Sequence, residues 1–159
     1  INLFGAPALL AEDFASYKQG TVLSLLVGVT APTGAYKNDQ DLNLGVNRWN
    51  MRIGLPFMYT LGDWIPGEIT TLEILPSVWF YGDNSDLHLE QDPMYTLEAH
   101  ITRDITAKIF VSLDYFIQRI GDSALAGLPY GVAHTSDSLG ATIGYMLNAQ
   151  TQFQLRYAS

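Results

Sequence analysis

Along most of the chain apolar and polar side chains alternate one by one. In the segment from Asn47 to Leu61, Trp49, Met51, Ile53, Leu55, Phe57, Tyr59 and Leu61 take the odd positions. Arg48, Asn50, Arg52, Gly54, Pro56, Met58 and Thr60 take the even ones. A strand points successive side chains to opposite faces, so a period of two separates a greasy face from a polar one. A helix would mix the two sets, and Gly54 and Pro56 weaken one further. The same alternation recurs over 21–31, 71–81, 93–103, 106–118, 139–147 and 151–158, which predicts seven strands. Residues 1–19 read as an irregular lead-in with a short helix between Leu9 and Tyr17. Pro56 and Pro76 each remove a ladder donor, so each is expected to mark a bulge or lie near a strand end.

The connections alternate in length. Those over 32–45, 82–92 and 119–137 are long and rich in turn residues, whereas those near Gly62–Gly67, Asp104–Ile105 and Asn148–Ala149 are short. Outer-membrane barrels have this asymmetry, with short periplasmic turns and long extracellular loops. Arg52, Glu73, Glu98, His100, Lys108, Asp114 and Arg156 all fall on the polar face, and Arg103 meets the greasy face only at a strand end. Arg or Lys aimed at lipid near the midplane costs about 2–4 kcal/mol, so the greasy face is expected to look outward. Outward aromatics near strand ends (Trp49, Tyr59, Phe80, Tyr95, Tyr115, Tyr157) fit interfacial girdles. The expected fold is all-β: an antiparallel up-and-down transmembrane β-barrel over a single domain, 1–159. The competing reading is a soluble β-sandwich or lipocalin-like ligand-binding barrel with the greasy face inward. Several mid-strand charges on one face and so bare an opposite face argue against it.

Composition narrows the function. There is no Cys, so neither a disulfide framework nor a Cys-based metal site is available. A net charge of −8 argues against a nucleic-acid partner. Charged residues make up 15%, against roughly 25% in an average soluble domain. No apolar run reaches the ~18 residues of a membrane-crossing helix. Seven strands is an odd number, with the first and last both running outward, and bacterial barrels have even numbers. The chain is therefore expected to be part of a larger barrel.

Candidate chemistry lies on the polar face. Arg48, Arg52, Lys108 and Arg156 stand against Glu73, Glu98 and Asp114, with His100 between; Gln152 and Gln154 extend the set. Such a mixture either lines a polar pore that biases passing solutes or pairs across the inside and fills it. Trp79, Phe110 and Phe116 suit a path for aromatic solutes, or simply occupy space. The loops are acidic at Asp39, Asp41, Asp83, Asp86, Glu90 and Asp92, a surface for solvent or for divalent cations bridging lipopolysaccharide. Of His88, His100 and His134, only His134 has Ser136 and Asp137 nearby, and sequence adjacency is not a triad. No catalytic residue, metal site or cofactor is expected.

Several stretches carry a family resemblance. Asn2-Leu3-Phe4-Gly5-Ala6-Pro7, Ala31-Pro32-Thr33-Gly34-Ala35-Tyr36, Asn43-Leu44-Gly45-Val46-Asn47-Arg48-Trp49, Gly82-Asp83-Asn84 and Glu90-Gln91-Asp92-Pro93-Met94-Tyr95 occur in this order. In these the chain resembles the transporter-like outer-membrane barrels of the phenol-degradation meta-pathway family. The family's Pro-Glu pair after the Arg-Trp is replaced here by Ile53-Gly54, so the role of that glutamate has no counterpart. The resemblance implies a porin-like channel for passive uptake of small solutes, aromatic or hydrophobic compounds among them, with outer-membrane lipid and lipopolysaccharide as surroundings. It also implies an extracellular mouth built from Asn43, Gly45, Asn47, Arg48, Trp49, Asp83, Asn84, Gln91, Asp92 and Pro93, in which Arg48 forms an ion network with Asp83 and Asp92. The alternatives are a structural or adhesive barrel without conductance and an outer-membrane hydrolase.

Overall fold

A computed structural model describes every residue except 15, 41 and 149, so expectations about Asp41, the Asn148–Ala149 turn and the middle of the lead-in helix fall partly outside it. The chain forms β1 (Asn2–Phe4), α1 (Ala11–Phe14), β2 (Val22–Ser24), β3 (Leu26–Thr30), β4 (Asn50–Gly54), β5 (Phe57–Leu61) and β6 (Thr70–Tyr81). There follow β7 (Leu89–Gln91), β8 (Met94–Thr106), β9 (Ile109–Ile120), β10 (Ser123–Leu125), β11 (Leu128–Gly131), β12 (His134–Asn148) and β13 (Thr151–Ala158). One antiparallel sheet runs β1-β2-β5-β6-β8-β9-β12-β13, with β3 beside β4 and β4 beside β6. With β2/β3 and β4/β5 each taken as one interrupted strand, and β7, β10 and β11 set apart in a second sheet, neighbours in the main sheet follow one another along the chain, which is up-and-down order. The sheet does not close on itself.

Burial is inverted relative to a soluble domain. Among the described residues no apolar side chain is buried, whereas Thr60, Ser77, Asn84, Thr96 and Asp114 are. Leu113, Ile143 and Leu155 keep 54%, 49% and 73% of their surface free. In a curved single layer the side chains of the concave face converge and those of the convex face splay apart. The polar set is therefore concave and the greasy set convex, as an outward lipid-facing surface requires. Among the described residues there is no dry apolar interior to support the lipocalin-like alternative.

All seven predicted strands are present, with informative differences. The first is split into β2 and β3 around Leu25, and the second into β4 and β5 around Leu55 and Pro56. The register does not slip: Gly54 pairs with Ser77 and Phe57 with Ile74, so two residues oppose two. Pro56 thus precedes a strand start, while Pro76 stands inside an unbroken β6 and forms no bulge. Its carbonyl accepts from Leu55 N at 3.1 Å, so its missing N–H faces the interrupted partner, and the lost bond, worth about 1 kcal/mol, is confined there.

The hairpin expected at Asp104–Ile105 turns later, at Ala107–Lys108, because the Thr106 hydroxyl accepts from Lys108 N at 3.2 Å and Ile109 N at 3.1 Å. Lys108 therefore sits in the turn rather than mid-strand, and Tyr115 stands mid-strand rather than near an end of β9. The third long loop is shorter than expected, since β9 reaches Ile120 and β12 starts at His134. That extension brings Arg119 and Asp137 onto the greasy parity at the outer ends of their strands, where headgroups can meet them. The lead-in is less irregular than expected. Its β1 pairs with β2, and its helix is a single turn.

Candidate functional site

Two clusters occupy the concave face. In the first, Arg52 of β4 reaches across β6 to Glu98 of β8, Nη2 to Oε1 at 2.6 Å. Its Nε donates to Ser77 Oγ at 3.1 Å, and its guanidinium lies 4.8 Å from the Trp79 ring centre. Ser77 and Thr96 share a hydrogen bond of 2.6 Å. These positions meet because the register sets Arg52 opposite Trp79 and Ser77 opposite Thr96.

The second cluster centres on Asp114, which is 6% exposed. Oδ1 receives His100 Nδ1 at 2.7 Å and the Ser112 hydroxyl at 2.9 Å; Oδ2 receives the Thr142 hydroxyl at 2.8 Å. Arg156 Nε stands 3.9 Å from Oδ2. Four strands, β8, β9, β12 and β13, thus converge on one carboxylate. Nearby, the Phe110 ring covers Gly144, where an added Cβ would fall 2.0 Å from the ring. Glu73 lines a pocket of about 300 Å³ with Glu98 and His100. Phe116 pairs in register with Glu98, while Gln152 and Gln154 are exposed on the edge strand.

The mouth residues assemble in part. Asn47, in the left-handed region at φ 50°, donates to Asn84 Oδ1 at 3.1 Å. Asn84 is buried and also accepts from the backbone N–H groups of Asp86 and Leu87. Arg48 Nη2 donates to Gln91 Oε1 at 2.7 Å, and the guanidinium lies 4.6 Å from the Tyr81 ring. Burial lowers the pKa of Arg48 from its ordinary value, against a smaller raising effect of Tyr81. Its Nη1 is buried without a hydrogen-bond partner, as is Asn50 Oδ1.

The expected ion network of Arg48 with Asp83 and Asp92 does not form. The ion pairs of the described residues include neither, and Asp92 N instead donates to Asp122 O at 2.9 Å. The cause is the small sheet β11-β10-β7, which draws residues 89–93 toward 121–125. Pro93 belongs to that contact, its carbonyl lying against Gly121. Asn43 pins its own loop through Lys37 and Gln40, Gly45 packs against Gly34, and Trp49 remains exposed on the convex side.

The sequence reading missed Ser77, Thr96, Ser112, Thr142 and Tyr81. The first four were visible only as polar-face positions, and the signal that finds them is their cross-strand register with charged residues. His134 bonds Val132 O at 3.1 Å and Ser136 accepts from Gln118 at 3.0 Å, so the two do not bond each other, and Asp137 lies on the opposite face. No group of three metal-capable side chains gathers among the described residues.

A family model described as "Putative MetA-pathway of phenol degradation" matches residues 3–159. The chain belongs to that family. No curated protein matches it. Among solved structures, an outer-membrane channel from Pseudomonas putida F1 has a TM-score of 0.75 at 22% identity, over 87% of this chain and 52% of that one. The chain thus spans about half the channel's length, and the likeness is one of fold. This member of the phenol-degradation family has the fold of an outer-membrane β-barrel. Its concave face is the counterpart of a barrel interior.

Proposed function

We propose that the protein is a porin-like channel for passive uptake of small solutes, aromatic compounds among them, and not an enzyme. One observation carries the reading. Ionised and hydrogen-bonding groups crowd a concave face while the convex face is left to lipid, which is the arrangement of an aqueous path through a bilayer. Family membership and the likeness in fold to an outer-membrane channel support it.

Arg52, Glu98, His100, Asp114 and Arg156 are the path's polar lining, supplemented by Arg48 at the mouth, Glu73, and Gln152 and Gln154. Trp79, Phe110 and Phe116 give the same face apolar surface for a ring to slide against. Their partly satisfied state leaves the charges able to bias a passing ion without binding it tightly. Single-channel conductance of the intact protein in planar bilayers, with and without benzoate, tests the reading. The expected result is discrete conductance that benzoate perturbs. Insertion without conductance would overturn it in favour of a structural barrel with a filled interior.

A further inference from the structure

We propose that the convex face carries a binding site for a phosphorylated glucosamine lipid, a headgroup of the lipid A type, at the outer ends of β8 and β9. The site rests on the outward orientation of the greasy face and is independent of conduction. A hollow of about 380 Å³ is lined there by Asp92, Tyr95, Arg119, Asp122 and Ala133. Tyr95 and Arg119 stand opposite each other in register and share the greasy parity, so the hollow opens on the lipid side. Strand β9 has a neighbour on each side, β8 and β12, which keeps the site away from the free edges of the sheet.

Arg119 differs from the other arginines. Arg48 donates to Gln91, Arg52 pairs with Glu98, Arg103 with Glu68 and Arg156 with Asp114. The Arg119 side chain is exposed and, among the described residues, forms no ion pair. The nearest carboxylate on its face, Asp137, stands diagonally, opposite Ile117, and does not reach it. An unpaired guanidinium on a lipid-facing surface is tolerated at the interface, where a headgroup phosphate can accept its two-pronged hydrogen bond. The next pair inward on the same face is Leu97 with Ile117, and exposed Leu139 follows on β12. A phosphate held at Arg119 therefore leaves any attached acyl chains lying on apolar side chains, which makes the anion that of a lipid.

The sugar follows from the carboxylates. Asp92 and Asp122 in the same hollow repel a plain anionic headgroup. Both are acceptors, and a ligand suits both signs when its phosphate is carried on a ring that bears hydroxyl and amide donors. The floor that presents them is fixed. Asp92 N donates to Asp122 O at 2.9 Å, and Asp122 Oδ1 accepts from Ala133 N at 2.6 Å. Gly121 lets the two segments touch, since a Cβ there would fall 2.5 Å from Asp92 Cβ. The exposed Tyr95 ring offers a flat apolar face to the sugar.

The test uses the intact protein in dodecyl maltoside micelles, with bound lipid counted by native mass spectrometry. One lipid A is expected to bind at least about tenfold more tightly than phosphatidylglycerol or phosphatidylethanolamine. Arg119→Gln is expected to weaken lipid A about tenfold, the least that a hydrogen bond between charged groups contributes. Heat-dependent gel mobility should show this variant fully folded, because the side chain it alters is exposed and unpaired. Asp92→Asn with Asp122→Asn keeps the acceptors and removes their charge. It is expected to raise phosphatidylglycerol binding and erase the preference for lipid A. Glucosamine 1-phosphate, which has no acyl chain, is expected not to displace lipid A at equal concentration. Equal binding of lipid A by the unaltered and Arg119→Gln proteins would overturn the site, as would equal binding of lipid A and either phospholipid by the unaltered protein. A preference that survives the double asparagine variant would overturn the role of the sugar. Displacement by equimolar glucosamine 1-phosphate would overturn the lipid and leave a soluble sugar phosphate in its place.

Discussion

Asp114 shows how much of the concave face depends on single residues. Its carboxylate is the acceptor for His100, Ser112 and Thr142, so removing it strands three donors. Asp114→Ala is expected to lower stability by about 1–3 kcal/mol, the cost of leaving shielded polar groups unsatisfied. A urea midpoint in lipid vesicles equal to that of the unaltered protein would refute this. Gly144 is the apolar counterpart. Gly144→Ala forces the Phe110 ring aside and should cost about 1–3 kcal/mol as overpacking. The cost should largely disappear in a Phe110→Ala background, a coupling that a double-mutant cycle measures. Asp114 itself was legible as a polar-face charge. Its four-strand convergence was not, because that depends on register, and a chain's alternation fixes parity without fixing which residue stands opposite which.

At the scale of elements, the strands were readable because their outward half must be apolar along its whole length. Alternation then persists over a dozen residues and cannot be mistaken for a helix. The ends were harder. Asp104 and Thr106 keep the polar parity of β8, so nothing in the pattern places the turn, and the Thr106 hydroxyl decides it. Three- and four-residue strands such as β7, β10 and β11 are too short to show a period, which is why the loops appeared structureless and Arg48 was matched to the wrong partners. Arg48 ties the 31–49 connection to β7 through Gln91. Arg48→Ala is expected to make the 82–93 segment susceptible to protease on intact cells while the strands stay protected. Arg48→Lys should not restore protection, since a compact ammonium stacks poorly on Tyr81. Unchanged cleavage would show that the β7–β10 pairing alone holds the loop.

For the whole molecule, the division between convex and concave faces makes opposite predictions for the same substitution. Leu113→Arg places a charge among acyl chains near the middle of β9 and should cost about 2–4 kcal/mol, read as a lower folded fraction by heat-dependent gel mobility. Gln154→Arg, on the other face, should leave that fraction unchanged. Equal sensitivity at the two positions would contradict the outward orientation of the greasy face. This division was the most legible property of all, because it repeats in every strand.

The absence of any buried apolar side chain among the described residues reaches beyond architecture to biogenesis. Nearly half of the chain's residues are apolar, and in water they gain by collapsing on one another or on another chain, so the apolar face needs shielding until lipid takes it up. Its native state is a joint property of polypeptide and membrane. A thinner or thicker bilayer should therefore shift its stability as surely as a mutation does.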